Sequence, residues 1–99
     1  MSRPEKRCYR CAPGIVWARD AEQTILVDEE GGRAWSLEGV DAAIWDWLAG
    51  GYEAGRIAHF LALATGVPAA EAWRSLRAII EGWQAEGILE GNGCDQPGD

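Results

Sequence analysis

Catalysis, metal binding and thiol exchange each need particular side chains to converge, and this chain offers few of them. Its one histidine, His59, stands beside Phe60 and off the apolar stripe of the helix expected there. That is the setting of a solvated residue rather than of a base or ligand. No serine, threonine or cysteine lies in a recognisable nucleophile motif, and the glycines punctuate segments instead of clustering ahead of a helix as a phosphate loop would. Cys8 and Cys11 have the C-x-x-C spacing of a zinc knuckle or a redox pair. A closed zinc site needs four ligands, and only Cys94 and His59 remain to complete it. Cys94 falls in a tail of turn formers, and a redox pair belongs at a helix start after a strand. The three cysteines therefore read as reduced thiols. We expect no catalytic residue, no metal and no cofactor.

Six tryptophans are harder to set aside, because tryptophan is costly to expose and frequent at binding hot spots. Trp17, Trp47 and Trp83 fit core positions. Trp45 lies about 100° from the centre of its helix's apolar stripe and stays unassigned. Trp73, Arg77 and Ile80 fall at i, i+4 and i+7, an apolar and cationic stripe of its own that suggests one wall of a groove.

The elements that would position these residues follow from two periods. "GIVWA" (14–18), "TILVD" (24–28) and "RAWSL" (33–37) are short strand-like runs separated by "RDAEQ" and by a glycine pair. Joined by short loops they make an antiparallel meander, too small to stand without a covered face. The period then changes. Val40, Ala43, Ile44, Trp47 and Leu48 form the apolar stripe of a first helix that ends at Gly50 and Gly51. A second helix is expected from Glu53 to Ala64, with Ala54, Ile57, Ala58 and Leu61 inward and Gly66 as its stop. A third begins near Pro68 and runs to Glu86, with Ala72, Leu76, Ile79, Ile80 and Trp83 inward. "ILE" after Gly87 adds a short extended tail. The order β-β-β-α-α-α argues an α+β domain, helices packed on one sheet face.

Composition bounds the rest. The 99 residues suit one domain, and 47% apolar content supports a core. Residues 1–12 read as a flexible head, 13–90 as the domain and 91–99 as a disordered tail. A formal charge of -7 and a pI near 4.6 oppose nucleic acid and anionic membrane surfaces. No apolar run reaches the roughly 20 residues that cross a bilayer, and no apolar signal core follows the charged head. A cytoplasmic protein is the expectation.

Taken in order, these segments resemble the PqqD-like domains, also called recognition elements for ribosomally made, modified peptides. The resemblance runs from Pro13 to Leu89. It rests on "PG" opening the first strand, "ILVD" in the second, "RAWSL" before the first helix, then "AAIWDWLAGG", "RIAHFL" and "SLRAIIEGWQAEGIL". Glu38 departs from it, since asparagine is frequent there, and the cysteine-bearing head lies outside the pattern.

The resemblance implies a winged-helix-like domain, not an enzyme, that binds the leader of a precursor peptide. The leader would add as an antiparallel strand to the edge of strand 33–37, in the cleft beside the third helix. The binding residues would be Arg33, Ala34, Trp35 and Ser36 on the strand and Trp73, Arg74, Arg77 and Ile80 on the helix, the arginines facing acidic leader side chains. The module would present the precursor to a separate modifying enzyme, either a radical SAM enzyme or a leader protease or cyclase as in lasso-peptide systems. A homodimer through the same open edge is a further expectation. The alternatives are a winged-helix DNA-binding regulator and a small metal or redox protein built on Cys8 and Cys11.

Overall fold

The computed structural model describes residues 7–91. Eight elements follow one another: β1 (Tyr9–Cys11), β2 (Ile15–Asp20), β3 (Gln23–Asp28), β4 (Arg33–Glu38), α1 (Gly39–Ala49), α2 (Ala54–Thr65), α3 (Ala69–Ala85) and β5 (Leu89–Gly91). The expected α+β order of three strands and three helices is present, with β2-β3-β4 as an antiparallel sheet. The turn after β2 is tighter than "RDAEQ" suggested. Asp20 faces Gln23 directly, leaving only Ala21 and Glu22 as the loop, with Ala21 at φ 56°. Two-residue hairpins require such left-handed φ values, because only they match the twist of the flanking strands.

Alternation separates the sheet's two faces. Trp17, Leu26 and Trp35 lie in one cross-strand row, and Thr24 and Leu37 in the next, all turned toward the helices. At the end of β4 the chain must swing from strand to helix within one residue. Gly39, at φ 58°, makes that switch, and Glu38 in the cap position forms no side-chain hydrogen bond to α1.

The stripe on α1 is displaced from its expected position. Ala42, Ile44, Trp45 and Leu48 are buried, whereas Val40 is exposed and Trp47 only half-buried. The cause is that α1 has neighbours on two sides, the sheet and the α2–α3 pair, so its buried arc is wider than one stripe and turned toward Trp45. The indole of Trp45 is 1% exposed and meets Trp17 edge-on at 6.3 Å and Trp83 edge-on at 5.4 Å. Trp47 instead packs on Phe60, which also meets Tyr52, in a satellite cluster between α1 and α2. The inward residues expected for α2 and α3 are buried, apart from half-buried Ile79.

A correction concerns the head. Within residues 1–12, expected to be flexible, Tyr9–Cys11 form β1 and pair antiparallel with β5, Tyr9 facing Gly91 and Cys11 facing Leu89. The Ala12 amide donates to the Ile88 carbonyl, and the Arg7 carbonyl accepts from the Ala54 amide at the start of α2. The head thus satisfies a helix N–H that no side chain caps. Residues 1–6, and the tail beyond residue 91, lie outside the described residues.

The Trp45 Nε1–H is buried with no hydrogen-bond partner. Trp45→Ala is expected to destabilise the domain by about 3–5 kcal/mol, a large aromatic-to-alanine loss. Trp45→Phe, which also removes the unpaired donor, should cost clearly less. Urea unfolding of both variants checks this, and equal losses would contradict it.

Candidate functional site

In the β2-β3-β4 sheet, β4 is an edge strand, paired on one side only among the described residues. The hairpin register determines which backbone groups that edge presents. Asp20 and Gln23 close a two-residue loop, so they exchange hydrogen bonds with each other, and the odd residues of β3 point their backbone groups toward β2. Even residues then bond to β4, through its residues 33, 35 and 37. The N–H and C=O groups of Ala34 and Ser36 are left facing outward. Both residues are exposed, with side chains on the sheet face away from the helices. A strand added here would find a complete, unpaired ladder.

One end of the edge is clasped to α3. The Trp35 indole Nε1 donates to the Glu86 carboxylate at 3.0 Å, and an Arg33 guanidinium nitrogen donates to the Glu86 carbonyl at 2.9 Å. The Arg33 guanidinium also lies 4.8 Å from the Trp35 ring centroid and 3.9 Å from the Asp28 carboxylate. Glu86 was not foreseen as a site residue. The signal was present in its spacing, one turn past Trp83 and two past Ile79. That spacing places Ile79, Gly82 and Glu86 on the side of α3 that meets β4.

The stripe of Trp73, Arg77 and Ile80 is on a different side. These three residues come together as read from the sequence, but they line a pocket of about 240 Å³ with Arg7, Tyr9, Glu81 and Gln84. That pocket lies between α3 and the head, and no residue of β4 lines it. Arg77 is paired with Glu81 at 3.9 Å, and Ile80 is 3% exposed. Arg74 is exposed and reaches neither place. The structure therefore joins Arg33 and Trp35 to α3 through Glu86, not through the helix residues proposed as the opposite wall. Trp73 also borders a shallow hollow with Gly55, Ala58, His59 and Ala69, and His59 is exposed there.

One cysteine departs from the expectation of reduced thiols. Cys8 is buried and disulfide-bonded, its sulfur 3.5 Å from the Gly51 carbonyl oxygen, while Cys11 is a half-buried free cysteine. Cys94 lies outside the described residues. Among those residues no group of three His, Cys, Asp or Glu side chains is placed to hold a metal ion. None of their helices is long and apolar enough to cross a membrane.

Because the Glu86 contacts are solvent-exposed, Glu86→Ala is expected to lower stability by no more than about 1 kcal/mol. Trp35→Ala, which also removes ring area packed on the core, should lower it by about 1–3 kcal/mol. Chemical denaturation of the two variants tests this order. A larger loss from Glu86→Ala would show the clasp to be structural rather than peripheral.

Comparison with known proteins agrees with this architecture. No curated protein sequence matches the chain. Among solved structures, a lasso peptide synthetase B1 complexed with the leader peptide superposes with a TM-score of 0.77 and 26% identity. The match covers 83% of this chain and 96% of that one. TbiB1 in complex with the TbiA(beta) leader peptide superposes with a TM-score of 0.79 and 21% identity, covering 85% and 98% of the two chains. The family model of coenzyme PQQ synthesis protein D (PqqD) matches residues 23–89, from the first residue of β3 to the first residue of β5. The open β4 edge, the helices behind it and the order of every element between them thus fall within one matched span, and the chain belongs to the PqqD family.

Proposed function

We propose that this chain is a non-catalytic leader-peptide-binding module, which holds a ribosomally made precursor while a separate enzyme modifies or cleaves it. The observation that carries this reading is the open β4 edge, where the outward backbone groups of Ala34 and Ser36 meet no partner strand among the described residues. An extended peptide gains main-chain hydrogen bonds from such an edge, and selectivity comes from what its alternate side chains meet. Leader residues opposite Arg33, Trp35 and Leu37 would enter the cleft between the sheet and the Ile79–Gly82–Glu86 side of α3. Arg33 would attract a leader carboxylate there, in competition with Asp28 and Glu86. Membership of the PqqD family supports the reading, as does the likeness to two proteins solved with leader peptides.

Between the enzyme classes expected, a leader protease of the lasso-peptide type draws more support than a radical SAM enzyme, from the likeness to a lasso peptide synthetase B1. Presentation then works by effective concentration. Once the leader is bound, the rest of the precursor is confined near whichever enzyme the module engages. We place this work in the cytoplasm, where precursors are synthesised, although the Cys8 disulfide is the kind of bond that a reducing compartment opens. The DNA-binding alternative gains nothing from the geometry. Arg10, Arg19, Arg33 and Arg77 each lie against a carboxylate, and the net charge of -7 repels a phosphate backbone.

Fluorescence polarisation tests the proposal, with labelled leader segments of any short precursor reading frame found beside the gene as the probes. The wild-type chain is expected to bind. Ser36→Pro deletes an outward N–H but no ladder bond to β3, and should weaken binding by about tenfold or more. Ser36→Ala should leave it unchanged, and Trp73→Ala, on the far side of α3, should alter it by less than about twofold. No binding by the wild type, or full binding by Ser36→Pro, would overturn the proposal.

A further inference from the structure

The helix stripe of Trp73, Arg77 and Ile80 takes no part in the leader edge, yet it forms half of a pocket whose other half is the head. Each side contributes one ring and one guanidinium, Tyr9 and Arg7 from the head, Trp73 and Arg77 from α3. Both rings are half-buried against the core, and Ile80, itself buried, lines the pocket between them and Gln84 in the sequence of α3. The Gln84 amide adds a donor and an acceptor. The β5 backbone steadies two of these side chains. It passes so close at Gly91 that a Cβ there would lie 2.6 Å from Gln84 Nε2 and 3.0 Å from Tyr9 Cε1.

Charge sets this pocket apart from the rest of the chain. The formal net charge is -7, but the pocket is lined by two guanidiniums and one carboxylate, that of Glu81. Arg7 forms no ion pair among the described residues, and Arg77 meets Glu81 at 3.9 Å with both side chains more than half exposed. An exposed pair at that distance holds its arginine weakly. Both guanidiniums can therefore turn to a bound carboxylate, the anion whose planar shape they match. The volume of about 240 Å³ is below the roughly 300–1,000 Å³ of sites for drug-sized ligands, which limits the occupant to about one amino-acid residue. We infer that this pocket binds the last residue of a peptide chain. Its free carboxylate meets Arg7 and Arg77, its aromatic or aliphatic side chain lies against Trp73, Tyr9 and Ile80, and its amide pairs with Gln84. Tryptophan, tyrosine and arginine are also the types that carry most of the energy in protein contacts. The pocket is on the side of α3 away from Glu86, so its ligand neither requires nor competes with a leader on β4.

Titration of the isotope-labelled full chain, followed by NMR, tests the inference. The indole N–H of Trp73 reports on the pocket and that of Trp35 on the leader edge, and Trp73→Phe and Trp35→Phe variants assign the two signals. The probe is N-acetyl-glycyl-phenylalanine with a free carboxylate. It is expected to move the Trp73 signal saturably and to leave that of Trp35 in place. The C-terminal amide of the same dipeptide should lose about tenfold or more in affinity, because the charged hydrogen bonds to arginine are gone. Phenylpropanoate, which keeps the ring and carboxylate without the amide, should lose about threefold. Arg7→Gln and Arg77→Gln should each weaken dipeptide binding by about fivefold or more, with spectra otherwise those of the folded chain. No shift at Trp73, equal binding of acid and amide, or indifference to both arginine variants overturns the inference. Equal binding of phenylpropanoate assigns the pocket to small aromatic acids and overturns a peptide end as its ligand. None of these results bears on the leader-binding module, whose affinity polarisation reads separately.

Discussion

The interaction on which the rest of the structure depends is the edge-on stack of Trp17, Trp45 and Trp83. It runs from the sheet, through α1, to α3, and so joins the three parts that must hold a fixed geometry. A three-stranded meander of this size has no stability of its own. What keeps β4 flat against the helices, and its outer groups aligned, is apolar area contributed by helices that follow it in the chain. The stack tolerates an indole N–H without a partner at its centre, a sign that ring packing outweighs the hydrogen bond that this site forgoes.

Much of this was legible in the residues, and the parts that were not share a cause. Period two gave β2 to β4 and period 3.6 gave α1 to α3, because each of those elements has enough residues for its pattern to repeat. β1 and β5 have three residues each and depend on a partner almost the whole chain away, so no local signal could announce them. The buried side of α1 was misjudged by one position because a helix wedged between two surfaces buries more than one stripe. The grouping of Trp73, Arg77 and Ile80 was correct and their neighbour was not. Helical spacing states which side chains share a side; it does not state what that side will face. Ala34 and Ser36 were reachable because strand order alone makes β4 an edge, while Glu86 required knowing where α3 ends against it.

The proposed division of labour between backbone and side chains suits a protein that handles one peptide for several events. Main-chain ladder bonds give affinity with little regard for sequence, and the cleft beside Trp35 and Glu86 supplies selection at alternate positions. The same alternation places the remaining leader side chains on the sheet's other face. One strand addition thereby informs two surfaces, one turned toward the module's own helices and one turned outward.

The pairing of Tyr9–Cys11 with Leu89–Gly91 has a kinetic consequence. Contacts this distant in sequence form slowly, because a long loop must close before they return any stabilisation. During synthesis β1 has no strand partner until β5 has left the ribosome, whereas the Arg7 carbonyl can accept the Ala54 N–H as soon as α2 has formed. The meander and its helices can collapse earlier, through neighbours close in sequence. Pairing of β1 with β5 is therefore the last step of the described fold, in which the two ends of the domain meet beside the side of α3 opposite to the docking edge.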